Sequence, residues 1–177
     1  MHWCPSGELA LLPLHAAGIY QNKAKANECA SDYVVSSYTP SLSALLKARE
    51  GFAPIPRPEL HAALYAESGK HSGHAPIYQV FEEVQTASRI LTSKSVVVDN
   101  DVHGASTAVS VLESAAETHI LHLSCHGLQH KDPLKSYFLL KDRLLTVSDL
   151  MTLDLKNAVL AYLSACYTAQ GLSLIHI

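Results

Sequence analysis

His119-Ile120-Leu121-His122-Leu123-Ser124-Cys125-His126-Gly127 reads as a short apolar strand over residues 119–125 that ends in His126-Gly127. Upstream, Thr107 to Glu117 has helical spacing, with Val109, Val111, Leu112 and Ala116 directed inward. Before it, Ser95-Val-Val-Val-Asp99 is a continuous apolar run bounded by polar residues, as expected of a strand buried on both faces. Ile77 to Leu91 places apolar residues at 77, 80, 81, 84, 87 and 90, one face of a helix. Downstream, Ala158 to Leu163 reads as another strand, followed by Ser164-Ala165-Cys166. Strands alternating with helices predict an α/β fold, a mainly parallel sheet with helices on both faces.

Further out the signals are local. Ser41 is a good N-cap for a helix carrying Leu42, Leu45 and Leu46. Tyr33 to Tyr38 predicts a short strand ending before Pro40, Glu8 to Ala17 an extended run into a Pro-interrupted turn, and His2-Trp3-Cys4 the middle of a strand. Gly51 to Pro58 and Gly69 to Pro76 read as loops with no domain boundary. The glycines at 69, 73 and 104 are expected to lack the strand-to-helix setting of a phosphate-binding loop.

The 177 residues allow about one domain, at a prior of roughly 150 residues each. A 48% hydrophobic and 16% charged chain is too apolar and too weakly charged for disorder. A net charge of -3 with scattered Lys and Arg argues against nucleic acid, and no run of about 18 apolar residues argues against a membrane. Without a secretory signal, cysteines at 4, 29, 125 and 166 are expected to be reduced thiols in the cytoplasm. The last six residues, Leu172 to Ile177, are what CTG TCT CTT ATA CAC ATC encodes, a string resembling a transposase adapter. The native sequence is therefore expected to stop at Gly171, leaving a domain over 1–171 that is incomplete at its C-terminus.

Reactive groups in a parallel sheet collect beyond the carboxyl ends of its strands. His126 and Cys166 stand just past two such ends. Adjacent strands lie about 4.8 Å apart, so the two qualify as a base and nucleophile pair. A thiol with a pKa near 8.5 is only a few per cent thiolate at neutral pH, and a neighbouring imidazole raises that fraction. The N–H groups at Gly127 and Cys166 are candidates for holding an oxyanion.

Several motifs together resemble the CHAT domain of the caspase-like clan of cysteine peptidases. They are His122-Leu-Ser-Cys-His126-Gly127, Ser136-Tyr-Phe-Leu-Leu-Lys-Asp142 and Leu163-Ser-Ala-Cys166-Tyr-Thr-Ala-Gln-Gly171. Trp3-Cys-Pro-Ser-Gly-Glu-Leu9, Leu12-Pro-Leu-His-Ala-Ala17 and Ser37-Tyr-Thr-Pro-Ser-Leu-Ser43 are similar to segments opening its fungal members. The resemblance implies a caspase-like three-layer sandwich, with His126 as general base and Cys166 as nucleophile. It also implies upstream tetratricopeptide or other sensor domains on the same polypeptide, a protein or peptide substrate, and no cofactor. The chain departs from the family pattern after Gly171, where a further helix and strand are missing, and at Leu60 to Glu67, which reads weaker than the family's strand there. Peptidase activity is accordingly expected of the complete gene product.

Duller readings stand beside these. By residue type alone Cys166 is a core cysteine, and Cys125, on the opposite face of its strand from His126, is expected in the core. His119, His122, Cys125, His126 and His130 invite a zinc reading, but neither a C-x-x-C knuckle nor an H-E-x-x-H helix is present, so no metal is expected. His71, His74 and His103 read as loop residues. Asp142 and Asp149 are expected to end a strand and cap a helix at Leu150, and Ser164 lacks a nucleophile elbow. Two function classes remain, a cysteine endopeptidase and a non-catalytic signalling or scaffold module.

Overall fold

The structure, a computed structural model, describes residues 1–20, 28–50, 54–70, 73–101 and 106–165. The chain divides into two compact units, one ending at Ala53 and one beginning at Pro54. Cys166, His71, His103, Gly104 and the tail 172–177 lie outside the described residues.

The first unit contains β1 (His2–Trp3), β2 (Gly18–Ile19), β3 (Glu28–Cys29), α1 (Ala30–Tyr33), β4 (Ser37–Tyr38) and α2 (Leu42–Arg49). β1 pairs in parallel with β4, and β2 antiparallel with β3. Ser41 caps α2 as its sequence predicts, its hydroxyl accepting the Ala44 N–H at 3.1 Å. Two expectations are corrected. Tyr33 ends a helical turn, so only Ser37–Tyr38 of the predicted 33–38 strand pairs; the Asp32 carboxylate, accepting the Cys29 N–H at 2.8 Å, favours that turn. Glu8 to Ala17 is not extended but forms two 3-10 turns, Gly7–Leu11 and Leu14–Ala16.

The second unit holds β5 (His61–Ala66), α3 (Gln79–Ser93), β6 (Val97–Asp101), α4 (Ala108–Glu117), β7 (Ile120–Ser124), β8 (Gly127–Leu128), β9 (Tyr137–Leu139), β10 (Leu144–Thr146), α5 (Val147–Leu150) and β11 (Leu160–Ser164). Its main sheet is wholly parallel, in the order β11-β7-β5-β6. Alternation along the strands builds two cores. Ala62, Leu64 and Ala66 of β5 pack with Val80 and Val84 of α3, whereas Ala63 and Tyr65 pack with Ala108 and Val111 of α4 and with Leu123 of β7. The sheet therefore lies between helices, the α/β sandwich the sequence implied. A second sheet, β10-β9-β8, is an antiparallel meander.

The weak-looking Leu60 to Glu67 segment contains a central strand. Alanines 62, 63 and 66 lack the bulk that signals β structure, but their small side chains let helices approach both faces. The Ser95 to Asp99 run is not a strand buried on both faces: β6 starts only at Val97, at the sheet edge, and Val97 is 43% exposed. In α4 the inward residues are Ala108, Val111 and Ala115, while Val109 is 54% exposed. Gly69 and Gly73 do occupy a strand-to-helix connection, between β5 and α3. Among the described residues, no helix is long and apolar enough to cross a membrane.

Candidate active site

From β5 the chain crosses by α3 to β6 on one side, then returns by α4 to β7 on the other side of β5. Such a reversal opens a crevice at the carboxyl ends of the two strands, where ligands bind in open α/β sheets. The residues beyond those ends are Glu67-Ser68-Gly69 after β5 and Cys125-His126-Gly127 after β7. Ladder bonds persist a step past the strands: the Glu67 N–H donates to the Ser124 carbonyl at 2.9 Å, and the Cys125 N–H to the Ser164 carbonyl at 3.1 Å.

The imidazole of His126 is half-buried and held on three sides. Its Nε2 lies 2.9 Å from the Ala75 carbonyl oxygen. A carbonyl only accepts, so Nε2 carries the hydrogen, and Nδ1 of the neutral ring keeps its lone pair. The His74 ring stacks at 5.4 Å between centroids. Beneath lies Gly69, where a Cβ would fall 2.4 Å from His126 Cδ2 and 2.9 Å from Nε2. Gly69 also has φ +80, the left-handed region that suits glycine, and donates its N–H to Glu67 Oε1 at 2.9 Å.

The backbone of His126 joins the meander, its carbonyl accepting the Leu139 N–H at 2.8 Å. Bonded and non-bonded pairs alternate in an antiparallel ladder, so the next pair, Gly127 with Phe138, is the non-bonded kind. The Gly127 N–H is therefore directed away from β9.

A second polar group lies on the same sheet face. Glu83, on the inward side of α3, accepts from His122 Nε2 at 3.0 Å through Oε1, and from Ser124 Oγ at 2.8 Å and Ser164 Oγ at 3.1 Å through Oε2. The His122 ring also meets Tyr162 edge to face at 5.0 Å. Sequence reading does not single out Glu83, although a carboxylate three positions after Val80 and beside Val84 on an apolar helix face is a detectable signal. Ser164 is a hydrogen-bond donor here, and the cavity beside Glu83 has a volume of about 240 Å³.

Cys125 lies in the α4-side core. Burial pushes its thiol up to about 12, reinforced by the Glu67 carboxylate, so it stays protonated at neutral pH. The two aspartates are caps. Asp142 accepts the Ala108 N–H at 2.8 Å, holding the first turn of α4, and Asp149 completes a capping box with Thr146 on α5. Among the described residues, no three His, Cys, Asp or Glu side chains are grouped to hold a metal ion.

Of the predicted site, the structure thus describes His126 and Gly127, adjacent at the sheet crevice, while Cys166 lies outside the described residues. No curated protein matches the chain. The family model described as the CHAT domain matches residues 1–176. With its parallel sheet between helices and its histidine at the sheet crevice, the chain belongs to the CHAT domain family, a caspase-like, peptidase-related domain.

Proposed function

We propose that the domain is a cysteine endopeptidase in which His126 and Cys166 form the catalytic dyad. The supporting observation is the register of β7 and β11. Each described β11 residue pairs with the β7 residue 40 positions earlier, Leu160 with Ile120 through Ser164 with Ser124. Cys166 follows His126 by the same 40 positions. Each therefore stands two residues past the last paired residue of its strand, at the carboxyl ends of neighbouring strands where reactive groups of a parallel sheet collect.

In the proposed reaction, Nδ1 of His126 takes the Cys166 proton and the thiolate sulfur bonds to the peptide carbonyl carbon. The carbonyl electron pair moves to oxygen, met by the Gly127 N–H. Collapse breaks the C–N bond, and the Nδ1 proton passes to the leaving amine. Water, losing a proton to Nδ1, then attacks the thioester; sulfur leaves and regains that proton. The Ala75 carbonyl fixes the tautomer this sequence requires.

We further read the domain as the effector end of a larger cytoplasmic polypeptide of fungal type, preceded by tetratricopeptide or other sensor modules. Its free Cys4, Cys29 and Cys125 suit a reducing compartment. The test is self-cleavage, or cleavage of a co-expressed partner, in Cys166→Ala and His126→Ala variants. Both are expected to abolish it; unchanged cleavage in Cys166→Ala overturns the peptidase reading and favours the scaffold alternative. Iodoacetamide is expected to label Cys166 well below pH 8.5, ahead of Cys4, Cys29 and Cys125.

A further inference from the structure

We propose that the cavity beside Glu83 is a subsite for a basic side chain of the substrate, lysine or arginine, with Glu83 as its specificity-determining residue. This rests on the peptidase reading for its catalytic meaning, but its physical basis is separate.

The cavity is bounded by Ile77, Gln79, Val80 and Glu83 on the helix side and by Ser124 and Ser164 on the sheet side. At about 240 Å³ it falls below the roughly 300–1,000 Å³ of pockets that enclose a whole small molecule, and suits one side chain. Its position relates it to the histidine: Ser124 precedes His126 by two residues on the same strand face, and Ile77 follows by two the carbonyl that holds the ring. Ala165, also in the lining, immediately precedes Cys166.

The chemistry of the lining selects the charge. Three donors converge on the two Glu83 oxygens, the arrangement of an ionised carboxylate, which offers about four acceptor sites and so retains about one. Among the described residues, the one ion-pair partner of Glu83 is His122; no Lys or Arg pairs with it. The two serines donate their hydrogens to Glu83, leaving hydroxyl oxygens as further acceptors. Ile77 and Val80 supply apolar wall for a methylene stem, while the carboxylate accepts from an ammonium or guanidinium head. An acidic side chain would meet like charge, and a purely aliphatic one would cover the carboxylate without pairing it.

The binding probe is agmatine, a butyl chain carrying an amine and a guanidinium, titrated calorimetrically at pH 8 and low salt. Wild type and Cys166→Ala are expected to bind it equally, and Glu83→Gln about tenfold or more weakly, as loss of a charge-assisted bond implies. Because Glu83→Gln removes part of a packed network and can fail to fold, Gln79 supplies an independent arm from an exposed position in the first turn of α3. Gln79→Glu is expected to tighten agmatine binding and Gln79→Lys to abolish it.

The catalytic arm compares peptides differing only in Arg, Leu or Glu before the scissile bond. Arg is expected to be preferred, with the preference collapsing in Glu83→Gln or Gln79→Lys. Absence of agmatine binding, or equal binding by all variants, overturns the subsite. Cys166-dependent cleavage with no Arg preference overturns the subsite and leaves the peptidase reading standing. Agmatine binding that follows the Glu83 and Gln79 pattern, in a protein whose cleavage survives Cys166→Ala, supports the cation pocket and overturns the dyad.

Discussion

The two faces of β7 carry opposite chemistry on consecutive residues. Leu121, Leu123 and the following Cys125 turn toward the α4-side core, where neighbours such as Val111, Phe138 and Leu145 are apolar. His122 and Ser124 turn toward α3 and bond to Glu83, and His126 follows on their side. One strand thus separates support from chemistry by its alternation alone. The difference also explains the state of Cys125. Cys125 belongs to the apolar set and is held protonated, whereas Ser164 and Tyr162 of the neighbouring strand reach Glu83 and His122 on the other face.

Substitutions can break this comparison. The largest stability loss is expected on the apolar side: Leu123→Ala leaves a void in a fully buried position and should cost about 2–5 kcal/mol in urea unfolding. Gly69→Ala is expected to cost less, about 1–3 kcal/mol, because it strains a positive φ and displaces the His126 ring from Ala75. Its distinguishing signature is a changed His126 imidazole chemical shift in NMR at fixed pH, which Leu123→Ala should not produce in protein that remains folded.

Asp142→Ala removes an acceptor at the start of α4 and should cost about 0.5–2 kcal/mol in the same unfolding measurement. The smallest effect concerns acid. The Thr146 N–H and hydroxyl, together with Arg143, hold the Asp149 carboxyl below its ordinary range. A carboxyl with a lower pKa when folded contributes stability above its unfolded value, about 4, and loses it as pH falls. The stability gap between wild type and Asp149→Asn should therefore be greatest near neutrality and close below about pH 4, as followed by thermal unfolding across pH.

Much of this architecture is legible in the sequence, for identifiable reasons. β7 and the helices α3 and α4 announce themselves by period, and Ser41 by its capping chemistry. β5 is obscured because its alanines owe their place to close packing on two faces, which composition does not encode. β6 misleads because three consecutive valines read as a doubly buried strand, although a strand at the sheet edge leaves Val97 exposed. At the candidate site, His126 and Gly127 follow from their position after a strand. The partners of the histidine do not: Gly69, His74 and Ala75 come from a loop more than fifty positions upstream, brought beneath the ring by the parallel pairing of β5 with β7.

The bond between Asp142 and Ala108 joins the turn of the β9–β10 hairpin to a helix that begins 34 residues earlier. That helix gains this N-terminal acceptor only once the hairpin has docked, which makes the Ala108 amide a natural clock for assembly. In pulse-labelled hydrogen exchange its protection should lag behind amides in the middle of the same helix and rise together with those of β9 and β10.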